Sequence, residues 1–321
     1  MQDRINRRGF IKGAALAGMI AAGPWQAISA LESAAASKRK RTLRFAHLTD
    51  IHVQPEKRAG IGMMEALRHC QAQKDKPQMI MTGGDLVMDS FGATFDRTKT
   101  QWELFLKVLG DNTDLRVEHT LGNHDVWGWN KTSSHTTGSE PNYGKKWAME
   151  LLKLQSPYRS FDHAGWHWIV LDSVFPKGDG YTAKLDDAQF EWLSDDLAKT
   201  KASTPVIVVS HIPILSACVF FDGDLANSGD WKVPGAWMHT DSVLIKDLFA
   251  KHPNVRLCLS GHIHLVDRVE YNGVVYLCNG AVCGNWWNGK YHETSPGYAM
   301  LDLYDDGSFD CEYLEWGWKP A

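Results

Sequence analysis

From residue 43 onward the chain alternates short apolar runs with stretches of helical periodicity. Residues 43–53, 78–87, 116–121, 166–174, 206–210 and 255–260 are apolar runs bounded by polar residues or glycine, and they predict strands. Between them, residues 63–73, 100–109, 147–154, 187–199 and 241–251 repeat apolar positions every three or four residues and predict helices. Strands alternating with helices predict a layered α/β domain, here spanning residues 42–316. The pattern then changes. Residues 265–271, 274–278, 298–304 and 308–314 read as successive strands joined by Asn272-Gly273 and Asp306-Gly307, pairs that favour tight hairpin turns. They predict a β-meander forming a second sheet packed on the first. Residues 127–143, 213–239 and 282–297 follow neither period, and irregular segments of that length usually carry function.

The first 36 residues stand apart from this pattern. Asn6-Arg7-Arg8-Gly9-Phe10-Ile11-Lys12 precedes an apolar run over 13–23 and small residues through Ala36. A charged start, a short apolar core and a small-residue cleavage zone predict a secretory signal, too short to anchor stably in a membrane. The Arg7-Arg8 pair followed by Phe and Lys resembles the twin-arginine signal, an address read by the export machinery. Residues 1–36 are therefore expected to be a signal peptide and cleavage region, and the domain to work in the periplasm or another exported location.

Removing residues 1–30 takes away Arg4, Arg7, Arg8 and Lys12 against Asp3, which moves the formal charge from −4 to −7. An acidic domain argues against a nucleic-acid partner, which clustered Lys and Arg would attract. A small phosphorylated substrate remains open, because bound metal supplies local positive charge. The six cysteines show no CxxC pair, and Cys258 and Cys278 lie in apolar runs where buried free thiols are expected.

Polar residues collect where the predicted strands end: Asp50 and His52; Asp85 after Gly83-Gly84; Asn123, His124 and Asp125 after Gly122; His211; and His262 and His264 after Gly261. Ligands bind at the carboxyl ends of strands in α/β sheets. Strand alternation would put Asp50 and His52 on one face, and likewise His262 with His264. Asp, Asn and His without Cys suit Mn, Fe or Zn. With Asp85, Asn123 and His211 these pairs supply seven ligands, too many for one metal and about right for two.

In this order, Asp-x-His, Gly-Asp, Gly-Asn-His-Asp, a strand-end His and Gly-His-x-His resemble the calcineurin-like metallophosphoesterase family. The resemblance implies a sandwich of two mixed β-sheets flanked by helices. It implies that Asp50, His52 and His264 hold one divalent or trivalent ion, that Asn123, His211 and His262 hold a second, and that Asp85 bridges them. His124 would face the substrate as acid or electrostatic stabiliser, with Asp125 orienting it. The implied chemistry is phosphate-ester hydrolysis by metal-hydroxide attack on phosphorus, on a diester or a monoester. Met88 stands where purple acid phosphatases place Tyr, and Leu86-Val87-Met88-Asp89-Ser90 lacks the Asp-Arg-Gly run of Ser/Thr phosphatases. The chain shows no counterpart of the large C-terminal domain of periplasmic 5′-nucleotidases. A resemblance to cyclic-nucleotide and glycerophosphodiester phosphodiesterases remains. A non-enzymatic, metal-dependent binding scaffold on the same fold is the alternative. Trp127, Trp129, Trp286 and Trp287, with Trp231 and Trp237, leave from the implied metal rim, either to wall the substrate or to pack the loops.

Overall fold

The computed structural model describes residues 39–320; the signal and cleavage region read in residues 1–36 lies outside them. Two sheets carry the domain. The first orders its strands β13–β12–β1–β2–β3, with β1 Arg41–Leu48, β2 Met79–Thr82, β3 Arg116–His119, β12 Gly297–Tyr304 and β13 Phe309–Glu315. The second runs β10–β11–β9–β8–β5–β4, from β10 Val266–Tyr271 and β11 Val274–Asn279 through β9 Val255–Ser260, β8 Val206–Val209 and β5 Trp166–Val170 to β4 Arg159–His163. A small hairpin, β6 Val174–Lys177 with β7 Gly180–Ala183, stands beside them. Both large sheets are mixed: β1, β2 and β3 are parallel, whereas β12 is antiparallel to β1.

Alternation along β1 explains the layering. Leu43 and Phe45 join Met79, Met81, Trp168, Val209 and Leu259 in the apolar layer between the sheets. Ala46 and Leu48 face the other way, into a core built with α1 Ala59–Gln71 and α2 Phe95–Asn112 through Met63, Leu67, Trp102 and Phe105. On the far side of the second sheet, α5 Asp187–Lys199 and α6 Ser242–Phe249 bury Leu193, Leu197, Ile245 and Phe249. Strands buried on both faces read as continuous apolar runs, which is why they were visible in the sequence. The domain is the expected sandwich flanked by helices.

The C-terminal meander is corrected. Its four strands form two hairpins that part company: β10 and β11 extend the second sheet, and β12 and β13 extend the first. Val275 of β11 pairs with Leu257, whereas Leu301 of β12 pairs with Phe45. Asn272 and Gly273 both have positive φ, as the tight hairpin turn requires. Turn chemistry is local, but the choice of neighbouring sheet is not. Two short helices, α3 Lys131–Ser134 and α4 Lys146–Leu151, occupy the connection after β3.

Candidate metal centre

The expected alternation of Asp50 with His52 does not hold, because β1 already ends at Leu48. Asp50, His52, Asp85, His262 and His264 instead take left-handed backbone, with φ of 54°, 47°, 52°, 72° and 61°. Non-glycine residues pay for that conformation and adopt it mainly where the surroundings force them to, often at functional sites. Backbone bonds enforce it here: the amides of Asp50 and His52 donate to the carbonyls of Gly84 and Asp85 at 3.1 and 2.9 Å. The left-handed steps turn the side chains of both motifs toward one another at the carboxyl ends of the parallel strands.

All seven expected ligand residues meet there. His52 Nε2 lies 3.2 Å from His264 Nε2 and 3.8 Å from Asp50 Oδ1, and His264 Nε2 lies 3.3 Å from the same oxygen. His211 Nε2 lies 3.2 Å from Asn123 Oδ1 and 3.2 Å from Asp85 Oδ2. His262 completes that second group. Asp85 Oδ2 belongs to both, since it is also 3.6 Å from His52 Nε2. Two motif glycines make room. A Cβ on Gly122 would sit 2.1 Å from Asp85 Oδ1, and one on Gly261 would sit 2.2 Å from Asp50 Oδ2.

The donor set fits metal cations. His211 Nδ1–H donates to Gly83 O at 2.7 Å and His264 Nδ1–H to Gly284 O at 2.6 Å, so both neutral rings aim Nε2 lone pairs at carboxylate oxygens. Facing acceptors need a cation between them. Without a metal, a proton serves: burial opposes the charge on His211, but Asp85 outweighs it and the ring is pushed up to about 9. His264 rises likewise, with burial overcome by Asp50. Asp85 is buried, yet the positive field of His211 and His124 holds it well below the usual carboxylate range. His262 faces its own burial and the charge of His211, and falls to about 3.

His124 lies at the mouth of this cluster, its Nε2 4.0 Å from Asp85 Oδ2 and its ring perpendicular to His52 at 4.6 Å. Its Nδ1–H donates to Met88 O at 2.5 Å. Asp125 therefore does not take the expected orienting role. Its Oδ1 accepts the amide of Leu86 at 2.8 Å and its Oδ2 that of Gly122 at 2.8 Å, so it clamps the two loops that carry Asp85 and Asn123. Burial and the nearby Asp85 push this carboxyl up to about 7, against the pull of those amides.

A cleft of about 510 Å³ opens over His52, Asp85, Asn123, His124, His262 and His264, and is further lined by Tyr181, Asp222, Trp237, Trp286, Tyr291 and His292. Of the six tryptophans expected at the rim, Trp237 and Trp286 line it. Trp287 points the opposite way, 1% exposed, donating to His52 O and packing on Trp316 and Trp318. Trp127 is buried between Phe95 and Trp147, and Trp129 packs on Phe91 and Lys145. Adjacent loop residues with left-handed backbone diverge, so sequence proximity to the ligands could not sort them. Trp231 is 61% exposed beside Phe220.

Sequence reasoning missed several neighbours. Cys283 comes within ligand distance of His52 and His264, without any spacing signal. Thr49 donates to Asp50 Oδ2 at 2.5 Å. His47 accepts from Asn279 across the sheets at 2.9 Å, and burial lowers it to about 4. The cysteines are free thiols among the described residues, Cys258 and Cys278 being buried as expected.

The family model described as calcineurin-like phosphoesterase matches residues 43–266. The chain is 25% identical over 286 residues to the 3',5'-cyclic adenosine monophosphate phosphodiesterase CpdA of Escherichia coli (strain K12), covering 84% of this chain and 88% of that protein. It is 22% identical over 285 residues to a 3',5'-cyclic-nucleotide phosphodiesterase of Nostoc, covering 84% and 91%. Among solved structures, a dimetal phosphatase from Danio rerio superposes with a TM-score of 0.55 at 12% identity, covering 87% of this chain and 100% of that one, which bears on the fold alone.

Proposed function

We propose that this chain, which belongs to the calcineurin-like phosphoesterase family, hydrolyses phosphodiesters at a centre of two metal ions sharing Asp85. Membership makes it a metal-dependent phosphoesterase; the number of ions, the diester preference and the location are the parts proposed. One observation carries the reading: the Asp85 carboxylate is placed between two groups of ligands, 3.2 Å from His211 Nε2 and 3.6 Å from His52 Nε2. Asp50, His52 and His264 would hold one ion, and Asn123, His211 and His262 the other. Bound ions supply positive charge against the phosphoryl oxygens and acidify water for attack.

The chain's own residues do the rest. Gly83 O and Gly284 O fix the tautomers of His211 and His264, so their Nε2 atoms face the ions. Met88 O fixes His124 with Nε2 toward the cleft, where a proton on that nitrogen can pass to the departing alkoxide. Tyr181 and Trp286 line the cleft beside the ligand residues. The relatives' names place cyclic nucleotides among the diesters to assay. Among the described residues no helix is long and apolar enough to cross a membrane. Export through the twin-arginine machinery to the periplasm rests on Arg7-Arg8 and the apolar run after them. Lysine at both positions should leave precursor in the cytoplasm, and normal processing of that variant would remove this part.

The test of the centre is Asp85→Asn, which keeps the shape and removes the shared charge. Metal content by elemental analysis should fall, and hydrolysis of bis-p-nitrophenyl phosphate with Mn²⁺ should drop on the order of 10²–10³-fold. A variant that keeps its metal and its turnover would overturn the two-ion reading.

A further inference from the structure

We infer that Cys218 and Cys278 form a disulfide that ties segment 213–239, which lends Asp222, Gly223 and Trp237 to the cleft, to the second sheet. Four observations place the two thiols together. Across β10 and β11, Asp267 pairs directly with Cys278, so their side chains leave one face of the sheet as neighbours. Asp267 Oδ2 accepts the Cys218 amide at 2.7 Å, the Ala217 amide at 2.6 Å and the Ser216 hydroxyl at 2.9 Å, which seats Cys218 over that pair. Both cysteines belong to one buried cluster, with Val219, Ile263 and Leu265. Within it the two thiols share a hydrogen bond.

The remaining four cysteines are dispersed. Cys258 lies in the core behind the second sheet and Cys311 between the sheets, while Cys70 sits on α1 and Cys283 beside His52 and His264. Closing the bond brings the sulfurs from hydrogen-bond contact to about 2.05 Å. Cys278 is held in β11, whereas Cys218 opens a short turn, Cys218–Phe221, whose last residue is 66% exposed, so the loop side makes the move. The oxidant is an external disulfide of the glutathione type. The Cys218 thiolate attacks one of its sulfurs and displaces a thiolate; the Cys278 thiolate then attacks Cys218 Sγ and displaces the second. The protein gives up two electrons and two protons, and the external disulfide becomes two thiols. Export, proposed above, brings the chain to such an oxidant. The bond closes a long loop, which restricts the unfolded chain and so stabilises the folded one.

The full chain is held in oxidised glutathione or in dithiothreitol, alkylated in guanidinium and digested without reduction. Of its six cysteines, all should alkylate in the reduced sample and all but Cys218 and Cys278 in the oxidised one. Mass spectrometry should find a peptide joining those two. The oxidised protein should melt roughly 5–15 °C higher than the reduced one. That gap should vanish in Cys218→Ser, whose midpoint should stay near that of the reduced wild type. Full alkylation after oxidation, glutathione left on Cys218 alone, or a bond between other cysteines each overturns the inference. A bond that maps as expected but leaves the midpoint unchanged overturns the tie between segment and sheet. The mapping uses the wild-type chain, so it decides even if Cys218→Ser does not fold.

Discussion

Gly122→Ala tests how the bridging carboxylate is held, because the perturbation adds one methyl group and no charge. Gly122 has φ −104° and ψ −179°, extended backbone that alanine adopts freely, so no conformational strain enters. The new Cβ would lie 2.1 Å from Asp85 Oδ1, 2.4 Å from Asp85 N and 2.8 Å from Asp85 Cγ. Ordinary contact requires about 3.4 Å or more, so Asp85 or the Gly122 loop must shift by roughly 1 Å. Neither is free to do so. Asp85 Oδ1 accepts the His124 amide at 2.8 Å, and the Gly122 amide donates to Asp125 at 2.8 Å. Overpacking on this scale costs about 1–3 kcal/mol of stability, and a misplacement of about 1 Å in a catalytic centre costs on the order of 10²-fold in rate. The assay compares thermal midpoint, bound Mn²⁺ and turnover of bis-p-nitrophenyl phosphate in wild type and variant. Gly110→Ala is the control: nothing lies within 4 Å of its Cβ, and in the last turn of α2 it should be neutral or stabilise by at most about 1 kcal/mol. If Gly122→Ala keeps wild-type metal and turnover, the argument that close approach fixes Asp85 is refuted.

Two further outcomes follow. His124→Ala should keep its metal yet lose roughly 10²–10⁴-fold in rate with an alkyl leaving group and less with p-nitrophenolate; loss of metal instead would make His124 a ligand. His167 contacts Asp196 at 2.8 Å and Asp162 at 2.6 Å, and the Asp196 hydrogen bond, opposed by burial, raises its pKa above the ordinary value. Its contribution to stability is therefore complete below about pH 6.5 and lost as pH rises through the folded value, so the melting difference between wild type and His167→Asn should shrink with rising pH; a difference that stays constant or grows contradicts this.

The sequence by itself determined the layers and the identity of the residues that converge. Apolar runs buried on both faces, such as β1 and β9, need no partner to be recognised, and five polar motifs at their ends named all seven residues that meet. Asn272-Gly273 was equally legible, since two residues with positive φ set that turn locally. Tertiary structure decided what depends on distant neighbours. The sheet that each C-terminal hairpin joins is set by pairing with β9 or β1, far away in the chain. Asp125 became a clamp because the amides of Leu86 and Gly122 reach it first, and Met88 took over its expected hold on His124. Trp286 and Trp287 show the limit most plainly: both have left-handed backbone, yet one lines the cleft and the other fills the core behind His52. Neighbours along a chain share composition and period, but the direction of a loop side chain is set by what packs against it, and only the folded protein supplies that.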